Sequence, residues 1–445
     1  MRFRTAQLYS GRRHVSVVLL AAVLVVTGSL AAQTRPVAIT RVNVVDVTDG
    51  RIIPNSTVVV DGTTIASVTP NGKAPATAQV VDGHDLFLIP GLWDMHAHTE
   101  ASGEAWLPLY VANGVTGIRD MGSALDYILR MRDETASGRI LGPRIFAAGP
   151  ILDDAPGDWP FRMRVKTVDE GRAAVRLLKK RGVDLIKVHD NTPPPVFYAI
   201  ADEARRQNLP LAGHVPRGLT TEQVVDAGQR SIEHLSNGDV WRRCSGGATY
   251  KPEACRTLFE MLAQKGVWQT PTLAAGSEIL SIGTPRSEIS AEQMAYAGKQ
   301  IRAMWTGNQG LVNPAVLDAL RKTAATGAVV TSDMAKAGVG ILAGCDTMIA
   351  GFCVHDELAA MVRGGMPPLA ALQTATLNPA RYFGIEQTAG SVARGRRADL
   401  VLLEANPLSD IGNVRRIRAV IVAGRLLDRR ALDETLAQAK AAATH

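Results

Sequence analysis

The chain has 445 residues, of which 46 % are hydrophobic, 20 % charged and only 5 % aromatic, and its 41 Gly and 23 Pro are ordinary usage. That composition excludes a disordered chain, a coiled coil and a collagen-like fibre, and the length suits either one α/β barrel with additions or a large domain plus a smaller one. The formal charge is +7, but four of the positives (Arg2, Arg4, Arg12, Arg13) stand in the first fourteen residues, and doublets such as Arg242-Arg243 and Arg429-Arg430 are scattered. The clustered basic excess of a nucleic-acid-binding protein is therefore missing.

Taken in chain order, the first segment reads as a targeting signal. Arg2 to His14 is basic, Val15 to Val26 is apolar apart from Ser16, and small residues follow as far as Ala32. A basic start, about twelve apolar residues and small residues at a cut site predict a secretory signal peptide over 1–32. A spanning helix needs about 20 apolar residues, so no stable membrane span is expected once the signal is cleaved. The mature protein is then expected in the periplasm or outside the cell, where disulfides persist. Of the four Cys, Cys244 and Cys255 bracket a Gly-rich loop and are expected to bridge, whereas the pairing of Cys345 with Cys353 stays open. No Cys-x-x-Cys pair occurs, which argues against a thiolate zinc site.

Residues 37–89 alternate apolar and polar, with Asp49-Gly50 and Asp61-Gly62 as turns, and predict the first part of a small β-sandwich. The same texture returns at 390–428 as a second part, so the two ends are expected to pair into one composite unit, followed by a tail over 429–445. Between them, over 90–385, eight short apolar runs occur: Leu92–His96, Gly117–Met121, Arg144–Ala148, Asp184–His189, Leu211–Val215, Ser231–Leu235, Val267–Leu273 and Gly340–Cys345. Amphipathic segments separate them. Thr167-Val-Asp-Glu170 is a capping box opening a helix that stops near Gly182, Thr220-Thr-Glu-Gln223 opens another before Gly228, and Asn313-Pro314 opens one ending near Gly327. Strands alternating with helices in this number predict a (β/α)8 TIM barrel. The stretch 274–313 is extra, with a helix expected from Ser290, and is a candidate lid whose Leu280, Met294, Tyr296, Ile301, Met304 and Trp305 would form an apolar cover.

In such a barrel the C-terminal strand ends face the active site. The first run ends in Asp94-Met95-His96-Ala97-His98, and residues two apart on an extended chain point to one side. The fourth ends in Lys187-Val188-His189, the fifth in His214, the sixth in Glu233-His234 and the eighth in Cys345-Asp346. Six of these, His96, His98, Lys187, His214, His234 and Asp346, are the candidate metal ligands, since imidazole and carboxylate suit zinc and similar divalent ions. Lys187 needs a separate reason, because an ammonium repels a cation. Burial can depress a lysine pKa to about 5–6, and the neutral amine can then add carbon dioxide to give an anionic carbamate with two oxygens for two metals. Of the remaining His residues, His355 is expected to cap a helix.

These residues, with Ile89-Pro-Gly-Leu-Trp-Asp-Met-His-Ala-His, Gly114-Val-Thr-Gly-Ile-Arg-Asp-Met-Gly, Ser231-Ile-Glu-His, Ala375-Thr-Leu-Asn-Pro-Ala and Gly395-Arg-Arg-Ala-Asp-Leu-Val, resemble the amidohydrolase superfamily, in its branch of secreted imidazolonepropionase-like and Xaa-Pro dipeptidase-like enzymes. The resemblance covers roughly 37–428. It implies two divalent ions, zinc by preference: one held by His96, His98, Lys187 and Asp346, the other by carboxylated Lys187, His214 and His234. It also implies hydrolysis of amide bonds in N-acyl amino acids or dipeptides by a metal-bridging hydroxide, with Asp346 as the proton acceptor.

The chain departs from dipeptide-cleaving relatives in two places. Ala148-Gly-Pro-Ile-Leu-Asp stands where they carry a His after the third strand, and Val215-Pro216-Arg217 where they carry a Tyr after the strand-five His. Arg217, and His189 beside the fourth strand end, are the candidate substrate-binding residues. The same centre could instead cleave lactones or phosphotriesters, and a periplasmic binding protein with an inert barrel is the rival of another class. The expected partner is a small-molecule substrate, with no nucleic acid, and assembly into a homo-oligomer is left open.

Overall fold

The structure, a computed structural model, describes residues 35–445 apart from 158–160, 236, 238, 246–248, 276–290, 300, 304–313, 348 and 444–445. The expected signal peptide and most of the candidate lid, including Leu280, Met304 and Trp305, lie outside the described residues. No helix among the described residues is long and apolar enough to cross a membrane.

The alternating amino-terminal segment forms β1 (Val37–Val45), β2 (Ile52–Asp61), β3 (Thr64–Pro70), β4 (Gln79–Asp82) and β5 (Phe87–Pro90). The parallel strands follow: β6 (Leu92–Ala97), β7 (Val115–Asp120), β8 (Arg144–Ala147), β9 (Ile151–Asp153), β10 (Arg162–Arg164), β11 (Ile186–Val188), β12 (Leu211–Gly213), β13 (Gln229–Glu233), β14 (Trp268–Thr270) and β15 (Gly340–Ile341). The chain closes with β16 (Leu400–Leu403), β17 (Ile417–Val422), β18 (Arg425–Asp428) and a helix over Arg429–Ala442.

The two ends of the chain build one hydrogen-bonded sheet in the order β18-β17-β16-β5-β1-β2-β3, with β4 added to β1. Its seam is the antiparallel pair β5 and β16, where Leu88 faces Leu402 and Phe87 faces Leu403. The inward residues Val37, Ile39, Val58, Val60, Ile65, Leu88, Leu400 and Ile421 share one apolar cluster, which is what the period-2 alternation of these segments prescribes. The segment expected as a tail is helical because Asp428 caps it, its side chain accepting from the Ala431 N–H.

The middle of the chain gives a seven-stranded parallel sheet, β10-β9-β11-β12-β13-β14-β15, and a three-stranded one, β6-β7-β8. Backbone bonds join their margins. The Met95 N–H donates to the Ala343 carbonyl at 2.8 Å, the Asp346 N–H to His96 at 2.7 Å, and the Asp184 N–H to Ala147 at 2.8 Å. All six residues of β6 are buried, the mark of a parallel strand covered on both faces.

The helix Val168–Arg181 begins at the expected capping box, Thr167 accepting from the Glu170 N–H, and ends at Gly182 with φ 86°. It packs on the helix Pro194–Arg206, burying Ala174, Val175 and Leu178. Three expectations change. The helix from Pro314 runs on to Lys336. Gly327 is a packing residue inside it, since a Cβ there would stand 3.3 Å from both Leu235 and Leu273. His355 does not cap a helix: it lies inside Cys353–Arg363, whose N-cap is Phe352, and its Nε2 bonds the Asn113 carbonyl. Strands β9 and β10 are additions that the apolar runs do not announce.

Of the insertion, Tyr296 and Ala297 are buried with Leu109 and Ile349, and the Tyr296 ring lies tilted against that of Phe352, with centroids 5.1 Å apart. Cys244 bonds Cys255 and Cys345 bonds Cys353. The second bridge ties the residue before Asp346 to the first turn of the helix Cys353–Arg363.

Candidate metal centre

The polar strand ends meet at one place. Each of four imidazoles has its Nδ1 engaged: His96 with Glu233 Oε2 at 2.9 Å, His98 with the Gly122 carbonyl at 3.0 Å, His214 with Asp190 Oδ1 at 2.7 Å and His234 with Thr272 Oγ1 at 2.7 Å. Fixing Nδ1 fixes the tautomer and leaves Nε2 as the ligating nitrogen. The Nε2 atoms of His96, His98 and His234 stand 3.8, 3.3 and 3.6 Å from carboxylate oxygens of Asp346. The rings follow one another, with centroids 5.4 Å apart for His96 and His98, 4.8 Å for His96 and His234, and 4.9 Å for His214 and His234.

Local backbone sets these directions. His234 and Asp346 sit at φ 65° and 52°, a conformation that non-glycine residues adopt at some cost. Backbone bonds hold them there, the His234 N–H to Thr270 and the Asp346 N–H to His96. Before His214, Gly213 at φ 139° passes so near Val188 that a Cβ would lie 2.1 Å from its carbonyl oxygen. Only glycine lets β12 deliver His214 beside β11.

The electrostatics suit a cation. Burial, then the charge of Lys187, pushes the His96 and His214 pKa well below the usual imidazole range. His234 falls to about 4, mainly through burial. These rings are neutral, as ligands must be. Burial works to raise the Asp346 pKa, yet His96, His98 and His234 hold it well below the carboxylate range. Lys187 is buried to 1 % exposure, and burial pushes it down to about 8. Its charge acts on His96, His214 and His234 alike.

One donor atom each from His96, His234 and Asp346 lies within 4.8 Å of the others. The imidazoles of His96, His214 and His234, neutral and of fixed tautomer, and the ionised Asp346 thus fit a divalent ion; at His98 the bond and charge of Asp346 outweigh burial and raise the pKa, and Lys187, at about 8, must first give up its proton. A second trio, His189, Asp190 and His214, has donor atoms equally near. There, however, Asp190 already accepts from His214 and from Asn237, the arrangement of a carboxylate that orients a ligand.

All six expected ligands are therefore gathered in one region. His189 stands beside them, its ring 3.9 Å from that of His214 and its buried Nδ1 without a hydrogen-bond partner. Arg217 is exposed, bonded through Nη1 to the Asn191 side chain and through its amide to the Asp190 carbonyl. Sequence reasoning passed over the partners of the histidines, Glu233, Asp190 and Thr272, and two supporting carboxylates. Asp94, pushed up to about 7 by burial, accepts from the His96 and Cys345 N–H groups, and Asp120 accepts from Thr99, Gly122 and Ser123. Their place inside the strand-end motifs was a usable signal. Their partners, such as His96 137 residues from Glu233, were not.

The model of the Amidohydrolase family matches residues 87–427. The chain is 26 % identical to ochratoxinase of Aspergillus niger over 468 aligned positions, spanning 88 % of each protein. It is 22 % identical to imidazolonepropionase of Thermoplasma acidophilum, over 82 % of this chain and 86 % of that one. Among solved structures it is similar to bottromycin amidohydrolase (TM-score 0.74, 24 % identity, 92 % and 91 % covered) and to a putative prolidase from Bifidobacterium longum (TM-score 0.69, 25 % identity, 91 % and 99 % covered). The chain belongs to the amidohydrolase family and is a metal-dependent hydrolase of carbon–nitrogen bonds.

Proposed function

We propose that the protein is exported and hydrolyses N-acyl amino acids or dipeptides at a two-metal centre set in a (β/α)8 barrel. The observation that carries this reading is the convergence of His96, His98 and His234 on Asp346, with the amine of Lys187 buried among them. The barrel is supported by the bonds from Met95 to Ala343, Asp346 to His96 and Asp184 to Ala147, which link the margins of the two parallel sheets. Export is supported by the basic-then-apolar start of the chain and by two disulfides.

His96, His98, Lys187 and Asp346 would hold one ion, and Lys187 with His214 and His234 the other. Once neutral, Lys187 Nζ would bond the carbon of carbon dioxide and release a proton, giving an anionic carbamate that would count among the ligands of both ions. Zinc suits the imidazole donors, and when bound the ions supply a Lewis acid for the scissile carbonyl and lower the pKa of water from 15.7 to about 7. Asp346, ionised and with its side chain 29 % exposed, takes the proton of the attacking water on a carboxylate oxygen. It then delivers that proton to the nitrogen of the departing amine, so one carboxylate is base and acid in turn. Arg217, near Asp190, would receive a substrate carboxylate, and His189, its ring 3.9 Å from that of His214, would meet the substrate beside it. Solved neighbours described as a Xaa-Pro dipeptidase with bound methionine and as a prolidase with n-methylphosphonate-l-proline support an amino-acid-derived substrate.

The test begins with metal analysis of purified protein, which should find two ions per chain. Lys187→Ala should lose at least one, with partial recovery of activity in short carboxylic acids that replace the carbamate. One ion or none in active wild type would sink the two-metal reading. A screen of N-acyl amino acids, dipeptides, lactones and phosphotriesters should show amide cleavage, and turnover of lactones alone would overturn the substrate assignment.

A further inference from the structure

We propose that Arg119 and Glu233 are positioning residues: a buried ion pair that holds His96 in its ligating tautomer and direction. The inference rests on the reading of the metal centre given above. Arg119 is fully buried on β7. Its Nε donates to the Met95 carbonyl at 2.6 Å, Nη1 to Ser231 Oγ at 2.9 Å, and Nη2 to Glu233 at 2.9 and 2.8 Å and to Thr270 Oγ1 at 3.0 Å. The ring of Tyr382 covers the guanidinium at 5.1 Å. One side chain therefore ties β6, β7, β13 and β14 together beneath the centre.

Two of those bonds converge on His96. Arg119 grips the carbonyl of Met95, the residue before it. Through Glu233 it also grips the ring, because Glu233 Oε2 accepts from His96 Nδ1 at 2.9 Å while Oε1 accepts from Ser231 Oγ at 2.7 Å. The other three imidazoles lean on a backbone carbonyl, a hydroxyl and the part-exposed Asp190. Only His96 leans on a fully buried anion that carries its own cation.

Stability alone does not account for this. Taking two charges out of water largely offsets their attraction, and well-packed apolar residues of equal volume commonly do as well. An anion on Nδ1 instead makes Nε2 a better donor to a metal and fixes the ring plane, and Arg119 neutralises the anion so that it can stay beneath the site.

The experiment measures Zn2+ affinity by competition with a chelator, and the visible absorption of the Co2+-loaded protein, for wild type, Glu233→Gln, His96→Ala and the double variant. Glu233→Gln should weaken one site about 10–100-fold, shift the cobalt spectrum, and leave circular dichroism unchanged. In the His96→Ala background it should add nothing, because it acts through that ring. Wild-type affinity in Glu233→Gln, or the same loss in both backgrounds, overturns the proposal. If Glu233→Gln does not fold, Ser231→Ala, which removes a hydroxyl bonded to both partners, goes through the same cycle. A loss confined to the His96 background supports the pair, and no loss or an additive one overturns it. A wild type that binds no metal, or His96→Ala with unchanged affinity, refutes the centre itself and the inference with it.

Discussion

His96 and His214 both give their Nδ1 to a carboxylate, but the two carboxylates live in different surroundings. Glu233 is at 0 % exposure with His96 at 1 %, whereas Asp190 is at 31 % with His214 at 9 %. On the first side the charges act through protein, backed by Arg119. On the second, water screens them, and His189 and Arg217 stand close by. Coulomb interactions weaken several-fold between such settings. The lesson is a division of labour across a few ångströms, with a closed half that fixes ligand geometry and an open half that can yield to a substrate.

Asp346 stands against His96, His98 and His234, and its replacement should have the largest effect. Asp346→Asn keeps the shape but removes the proton acceptor and an anionic ligand. Turnover should fall by about 10³-fold or more, in the upper part of the range for losing a general base. Thermal unfolding of the metal-free protein should change little. Retained activity would show that the proton passes through some other group.

A buried carboxyl away from both halves should reveal itself in stability. Glu357, buried on the helix Cys353–Arg363, accepts from the Ala274 N–H at 2.8 Å and has Oε1 without a partner. Burial pushes its pKa up to about 8 from 4.5. Between those values the unfolded chain ionises while the folded one keeps its proton, so this group costs stability as pH rises from about 4.5 to 8. Glu357→Gln cannot ionise. Its stability relative to wild type should grow between pH 5 and pH 8 by on the order of a few kcal/mol, read by urea unfolding at both values. An identical difference at both pH values would show that the carboxyl is ionised in the fold.

The fold and the site differ in how much of them could be read from the residues. The eight apolar runs all became parallel strands or their immediate continuations because period and length report burial on both faces. The three-residue strands β9 and β10 escaped because Ile151–Asp153 is too short to show a period and Arg162-Met-Arg is polar. Gly327 looked like a stop signal and is a contact point, since local sequence does not say which side chains press on a glycine. The ligands were legible as polar groups at the ends of apolar strands. Their partners were not, because Arg119, Glu233 and Thr270 meet only when strands far apart in sequence become neighbours.

On the open half, Asp190→Asn should weaken metal binding by about 10-fold, toward the low end of what losing an outer partner costs, because water already screens this pair. If it matched Glu233→Gln in a chelator competition, burial would not be what separates the halves.

Arg217→Ala should have the smallest effect and bears most directly on the substrate. The guanidinium is exposed and bonded to Asn191 at 3.1 Å, so a substrate carboxylate must compete with that bond and with water. An exposed charge pair contributes about 0.2–1 kcal/mol, a change of roughly 1.5- to 5-fold in KM. Because such a contact forms equally in ground and transition states, kcat should hold while KM rises. The rise should appear with N-acyl amino acids, vanish when the carboxylate is amidated, and shrink in high salt as screening predicts. Equal KM for Arg217→Ala and wild type on acidic substrates would remove Arg217 from the substrate site and leave His189, with its unpartnered Nδ1 beside His214, as the polar group of the open half with a binding role still to test.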